Sequence, residues 1–318
     1  MPEDSRAEAL VAAARDGDAR SLARLVSQVE NGSAELRPVM RAVAPHVGHA
    51  RVVGLTGSPG VGKSTVTSAL VRAYRALDLR VGVLAVDPTS PFTGGALLGD
   101  RVRMQDHAID RGVFIRSMAS RGHLGGLSVA APQALRVLDA AGFDVICVET
   151  VGVGQAEVEI AALADTTLVI AAPGMGDSIQ AAKAGILEIA DILVVNKSDR
   201  PGAREVVRDL RTMIAMVSYA DGAWKPPIVS VSATAGDGID ELVSRLDAHW
   251  TWLGDTGERD RRRLARAREE VSAIAIAEMR RTLGALPGQS RLDELAAQVA
   301  CGKLDPYAAA DELIAARP

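Results

Sequence analysis

The nine residues Gly57-Ser58-Pro59-Gly60-Val61-Gly62-Lys63-Ser64-Thr65 have the composition and spacing needed to hold a polyphosphate. Glycines let successive backbone N–H groups curl around phosphate oxygens. Lys63 brings a positive charge to the β and γ oxygens, and the Ser64 hydroxyl suits Mg²⁺. Such a loop acts best between a strand and a helix, because the helix N-terminus adds the positive end of its dipole. A second cluster, Asn196-Lys197-Ser198-Asp199, suits a purine. The Asp199 carboxylate can accept from the ring N–H and the exocyclic amine of guanine. Adenine has neither donor there, so a buried carboxylate would be left with unpaired acceptors against ATP. Asn196 would tie this segment to neighbouring loops and the Lys197 stem would lie along the base. Ser232-Ala233-Thr234 would complete the pocket with backbone N–H groups toward the guanine carbonyl. These features predict a GTP- and GDP-binding protein that hydrolyses GTP with Mg²⁺.

Acidic residues stand between the two clusters. Asp87 and Glu149 each close an apolar run, where a carboxylate could reach a metal bridging two phosphates. Glu149-Thr150-Val151-Gly152 resembles the DxxG segment of GTPases with Glu in place of Asp, and the Gly152 N–H could meet the γ-phosphate. Asp100 ends a glycine-bearing loop, Thr93–Asp100, which reads either as a switch or as a solvated turn. Hydrolysis needs neutralised charge and an oriented water more than a nucleophile. Lys183, Arg116 and Arg121 are candidate cations, and Gln155 is a candidate for holding the water. Lysine and asparagine are scarce, with 5 lysines against 31 arginines and 2 asparagines. That Lys63, Lys197 and Asn196 all fall in the two clusters suggests that each site requires its particular side chain. The five histidines and two cysteines form no metal-ligand spacing. Cys147 lies in an apolar run and reads as a reduced, buried thiol.

These groups need a scaffold that brings strand ends together. From Arg51 onward, β-branched runs alternate with helical stretches. The predicted strands are Val52–Thr56, Val81–Val86, Val113–Arg116, Val145–Glu149, Thr167–Ala171, Ile192–Asn196 and Ile228–Ser232. Strands apolar throughout and separated by helices imply an α/β fold with a mostly parallel sheet flanked by helices on both faces. Ligands then bind beyond the carboxyl ends of the strands, where the motifs sit. Three segments are expected: N-terminal helices over 1–48, a nucleotide-binding P-loop domain over 49–254 and a helical arm over 255–318. The run Glu258–Glu270 is highly charged yet carries a helical stripe of Leu264, Ala267, Val271, Ile274 and Met279. It reads either as a solvated face or as an arm for self-association. A net charge of −4 and 3% aromatics argue against nucleic acid as a partner. With no basic, apolar leader and no long apolar stretch, a cytoplasmic protein without membrane attachment is expected.

Taken together, GSPGVGKST, DPTSPFTGGALLGDR, RSMASRGHLGGLS, ETVGVGQ and NKSD resemble the MeaB/ArgK family of G proteins, formerly labelled lysine-arginine-ornithine transport ATPases or kinases. The resemblance implies a dimeric GTPase of the SIMIBI class. It implies a chaperone of adenosylcobalamin-dependent methylmalonyl-CoA mutase, gating cofactor loading and protecting or reactivating the mutase. By the same resemblance Ser64, Asp87 and Asp100 would organise Mg²⁺, with Glu149 beside the metal and the γ-phosphate. Asp177 and Lys183 would belong to a further switch loop, and the C-terminal helices would form the dimer arm. Two other readings stay open at this point: a nickel-delivery GTPase, which usually carries histidine-rich tracts or cysteine ligands, and a kinase for a small molecule or protein.

Overall fold

Seven runs rich in Val, Ile and Leu form one sheet: β1 (Arg51–Thr56), β2 (Val81–Pro88), β3 (Val113–Ser120), β4 (Val145–Thr150), β5 (Thr166–Ala171), β6 (Ile192–Val195) and β7 (Ile228–Ser230). The computed structural model describes residues 3–88, 107, 109–120, 130–150, 156–174, 186–284 and 289–315. The strand order is β3-β2-β4-β1-β5-β6-β7, and the strands pair in parallel throughout. β1 lies between β4 and β5, so the chain crosses there from one half of the sheet to the other. The crevice beyond the carboxyl end of β1 is the place where such a sheet takes a ligand.

All seven strands fall where the sequence places them, with altered ends. β2 and β3 run on to Pro88 and Ser120 because their ladder continues through Asp87–Ala119 and Pro88–Ser120. Backbone pairing there outweighs weak local propensity. β6 and β7 stop short of Asn196 and Ser232. The Asn196 N–H still donates to Ala171 O at 2.8 Å, but its side chain has turned to other work.

Alternation along the strands makes two apolar faces. Val53, Leu55, Val83, Cys147, Ile170 and Val194 pack beneath α4 (Lys63–Ala76) and a later helix, Ile239–Asp255. Leu84, Val86, Ile146 and Val148 pack beneath α1 (Glu3–Arg15), α2 (Ala19–Glu30), α3 (Leu36–Val43) and α5 (Ala130–Ala140). Helix α6 (Ala156–Leu163) lies over β1, where a Cβ on Gly54 would come 2.5 Å from Ile160 Cγ2. A short α7 (Ile186–Ile189) precedes β6, and α8 (Ala203–Ala215) covers Val169, Leu193 and Val195. Asp18 caps α2 by accepting from Ser21 N at 3.0 Å, and Asn31-Gly32 ends it. Arg116 is not a free cation for catalysis: its guanidinium donates to Ser27 Oγ at 3.1 Å and pairs with Glu30, tying β3 to α2. Burial pushes the Cys147 thiol up to about 12, with the Glu149 charge adding to it, so it stays a thiol.

The amino ends of the strands hold a buried ionic cluster. After α9 (Ile239–Asp255), α10 (Glu258–Gly284) brings Arg262, Arg263 and Arg266 to two carboxylates. Asp165 accepts from Arg266 Nη2 at 2.5 Å, Arg263 Nη2 at 3.2 Å and Val52 N at 3.0 Å. Asp191 accepts a fork from Arg262 at 2.9 and 3.0 Å and from Thr167 N at 2.8 Å. His249, fully buried, lies 3.3 Å from Asp191 and hydrogen-bonds Thr166 Oγ1 at 2.8 Å.

The chain divides into two units, Met1–Arg266 and Ala267–Pro318. The second contains the rest of α10, then α11 (Gln289–Ala300) and α12 (Pro306–Ala315), which pack on each other. Val271, Ile274, Ile276 and Met279 are exposed on α10. Among the described residues no helix is long and apolar enough to cross a membrane.

Burial raises the carboxyl pKa of both Asp165 and Asp191. Arg266 and Arg263 beside Asp165, and His249 and Arg262 beside Asp191, more than reverse this and leave both below 3.8. A depressed folded-state pKa stabilises the fold above the unfolded value and loses that contribution as pH falls through the folded value. Their contribution to urea resistance should therefore hold from neutrality to about pH 5 and fade below the unfolded value of 3.8. Asp165→Asn should lower stability at pH 7 by about 3 kcal/mol, since it leaves two guanidiniums without their counter-charge. It should also flatten the acid limb of a urea-midpoint profile.

Candidate functional site

β1 ends at Thr56 and α4 begins at Lys63, so the glycine-rich loop spans a strand-to-helix turn. Two positions there admit only glycine. Gly57 has φ +140°, and a Cβ would overlap the Ile170 carbonyl oxygen of the neighbouring strand. Gly62, the residue before α4, has φ +95°, and a Cβ would overlap the Asn196 amide. Lys63 is buried and donates to Gly57 O at 2.7 Å and Ser58 O at 3.3 Å, so its ammonium lies across the mouth of its own loop. Ser64 is half-buried and Thr65 exposed, both in the first turn of α4; Pro59 and Gly60 are exposed at the tip.

The segment after β6 meets this loop directly. Asn196, 3% exposed, donates through Nδ2 to Val61 O at 2.9 Å and accepts at Oδ1 from Ala233 N at 3.2 Å. Lys197 has φ +58°, an uncommon conformation for a side-chain-bearing residue. Its Nζ reaches Gly60 O at 2.7 Å. Ser198 N donates to Val231 O at 3.1 Å, and Ser232 Oγ donates to Asp199 at 2.8 Å. The Ser232 hydroxyl, then Asp199's own backbone N–H, hold the Asp199 carboxyl below the usual carboxylate range. It is therefore an acceptor-only anion at neutral pH.

Two expectations change in detail. Asp199 is exposed rather than buried, so any desolvation at this carboxylate has to come from the ligand that covers it. The Ala233 N–H is spent on Asn196 and the Ser232 N–H on Asp237 O at 3.0 Å, so this triplet is braced internally, with Thr234 exposed beyond it.

Glu149, the last residue but one of β4, has no exposed surface, and its Oε2 lies 2.5 Å from Thr67 Oγ1 on α4. Thr67 is absent from every motif, and its only signal in the sequence is its place one turn beyond Lys63. Ser68, next to it, hydrogen-bonds His107 Nε2 at 3.0 Å.

Comparison with known proteins decides the family. The model for methylmalonyl-CoA mutase-associated GTPase MeaB matches residues 22–286. A Pyrococcus abyssi protein provisionally named as a GTPase is 45% identical, covering 96% of this chain and 95% of its own. GTPase ArgK of Escherichia coli is 36% identical, covering 81% and 78%. A crystal structure of an LAO/AO transport system kinase superposes with a TM-score of 0.72 at 27% identity, covering 97% of this chain and 96% of that one. This chain belongs to the MeaB family of GTPases.

For this MeaB-family GTPase the structure thus brings the loop 57–65, Glu149, Asn196–Asp199 and Ser232–Thr234 to one edge of the sheet. Asp87 lies at the end of β2, one residue past the Val86–Thr150 pair, with its side chain outside the described residues. Asp100, Gly152, Asp177 and Lys183 also fall outside them, as do Arg121 and Gln155. Gly62→Ala should break the junction between the two loops. Calorimetry should find GDP affinity lowered at least roughly 30-fold, as expected when a buried amide loses its partner and the backbone is strained. Wild-type affinity would mean that the contact with Asn196 is dispensable.

Proposed function

We propose that this GTPase holds Mg²⁺ and GTP in the crevice beyond β1 and acts as a switch on adenosylcobalamin-dependent methylmalonyl-CoA mutase. On this reading it gates cofactor loading and protects or reactivates the mutase. The observation that carries the nucleotide part is the bonded junction Asn196–Val61 and Lys197–Gly60, which makes a phosphate cradle and a guanine reader into one receptor. The mutase part is supported by the name of the family. A Caenorhabditis elegans relative, 32% identical over 82% of this chain, is named as a mitochondrial homologue of methylmalonic aciduria type A protein.

The donor set suits a small, hard cation, with oxygen ligands and no sulfur or imidazole. Ser64 and Thr67 are three residues apart on α4 and so share a face. Glu149 is bonded to Thr67, which keeps a buried carboxylate on the Ser64 side of the helix. Asp87 at the end of β2, with Asp100, would complete the set. Bound Mg²⁺ would neutralise charge on the β and γ oxygens as the phosphoryl group leaves. Lys63 would exchange its loop carbonyls for phosphate oxygens. The loop N–H groups would hold the oxygens in line, and Gly152 would meet the γ-phosphate. Glu149 would orient the attacking water or a metal-bound neighbour. Asp177 and Lys183 would sit in a partner-responsive loop that supplies the remaining positive charge, so turnover without the mutase should be slow.

GTP labelled in its γ-phosphate should release free phosphate, and a labelled acceptor would instead support a kinase. Lys63→Ala should abolish nucleotide binding by calorimetry, and micromolar GTP affinity retained in that variant would reject the assigned cradle. Asp199→Asn should invert the preference from GTP to xanthosine triphosphate by at least about tenfold, because the donor and acceptor senses at the base exchange. Co-purification from native lysate with a non-hydrolysable GTP analogue should bring down the mutase, and its absence under every nucleotide condition would reject that partner.

The segment 255–318 is proposed as the dimer arm, on the strength of the exposed apolar stripe of Val271, Ile274 and Met279. Removal of residues from Ala267 onward should leave a folded, nucleotide-binding monomer by light scattering, and a surviving dimer would place the interface elsewhere.

A further inference from the structure

Helix α4 carries one residue whose chemistry the phosphate loop does not explain. Thr67 has no exposed surface and is surrounded along the helix by Val66, Ala69, Leu70 and Val71, all buried. An apolar side chain of the same shape would pack there equally well, and a hydroxyl placed in a core is costly without a partner. Thr67 Oγ1 lies 3.1 Å from Lys63 O, one turn back, which alone would satisfy a helical threonine. The closer contact is the 2.5 Å one to Glu149 Oε2, a length typical of a hydroxyl donating to a carboxylate. A hydroxyl has one proton, and the ionised acceptor is the stronger competitor for it.

We propose that Thr67 is a positioning residue for Glu149, fixing that carboxylate in a single orientation toward the nucleotide edge of the sheet. The two residues come from different elements, α4 and β4, and are 82 positions apart, so the bond also joins the phosphate-loop helix to the strand that leads into Glu149-Thr150-Val151-Gly152. A glutamate side chain has several rotamers, and each hydrogen bond it makes narrows the choice. With Oε2 engaged by Thr67, one oxygen of the carboxylate is held on the α4 side, which sets the direction of the group. Preorganisation of this kind acts on the metal requirement and the chemical step more than on the grip on the base.

The proposal rests on the reading of Glu149 as the acid beside the γ-phosphate and metal, and the experiment separates the two. Thr67→Val, Thr67→Ser, Glu149→Gln and the Thr67→Val/Glu149→Gln double variant are compared by melting temperature, by Mg²⁺ titration of fluorescent-GDP affinity, and by kcat and KM. Thr67→Val should raise the Mg²⁺ concentration for half-maximal affinity and lower kcat, each by roughly tenfold, the worth of one hydrogen bond to a charged group. KM for GTP at saturating Mg²⁺ should stay within about twofold, because base and phosphate-loop contacts are untouched. Thr67→Ser keeps the donor and should recover to within about threefold of the unmodified protein. In the Glu149→Gln background Thr67→Val should add no further loss, because the residue acts through that carboxylate. A Thr67→Val protein with unchanged Mg²⁺ requirement and kcat, losses that add fully to those of Glu149→Gln, or a serine variant no better than valine would overturn the proposal. Should valine prevent folding, Thr67→Ala replaces it under the same criteria. Failure of the underlying reading would look different: Glu149→Gln itself would keep the original Mg²⁺ requirement and kcat.

Discussion

One amide side chain ties the carboxyl edge of the sheet together. Asn196 donates to Val61 O in the phosphate loop and accepts from Ala233 N in the loop after β7, and it does so from a position 3% exposed. Three segments distant in sequence are thereby fixed to each other. A buried amide left unpaired is costly, so the contact constrains both loops at once. The constraint explains Gly62, where a Cβ would intrude on the same amide. It also accounts for the neighbouring Lys197, whose left-handed backbone sends its side chain back to Gly60 O. Strain of this kind persists only where the surroundings over-determine the conformation.

The sheet order makes this junction possible. β1, β5 and β6 are adjacent, so the loop after β1 and the segment after β6 leave the sheet only one strand apart. On the other side β4 lies beside β1, which brings Glu149 level with Leu55 and within reach of the helix that follows the phosphate loop. Parallel pairing is essential, because it sends every carboxyl end to the same edge. The largely apolar strands permit it, being covered on both faces by helices.

Much of this could be read in the sequence, and the reason is physical. A glycine-rich strand-to-helix turn that a later polar segment must meet needs glycines, a lysine and an amide at fixed places, so both segments leave residue types that few other structures require in that order. The seven strands were legible because buried parallel strands are runs of β-branched residues. Thr67 was not legible, because its role depends on a carboxylate 82 residues away and a threonine in a helix carries no chemical mark. Arg116 stood as one of three candidate cations for a related reason: in a chain rich in arginine, sequence cannot separate a catalytic guanidinium from one that pairs with Glu30 of α2. The charged run Glu258–Glu270 looked uniform, yet Arg262, Arg263 and Arg266 point at buried aspartates while Arg261 faces solvent.

That last cluster gives the sheet two polar ends with different tasks. At the amino ends, Asp165 and Asp191 accept from backbone N–H groups of β1 and β5 as well as from arginines, so each carboxylate both starts a strand and holds the first turns of α10. Removing one partner from such a buried pair is far more damaging than the pair's net worth would suggest, because the other charge stays behind. At the carboxyl ends Lys63, Asn196 and Lys197 donate to backbone carbonyls rather than to buried counter-charges, and Asp199, Thr65 and Gly60 remain exposed. β1 belongs to both ends: Val52 is held by Asp165, and four residues later Thr56 opens into the loop. The loop that leaves β1 therefore starts from a strand whose other end is clamped by charge.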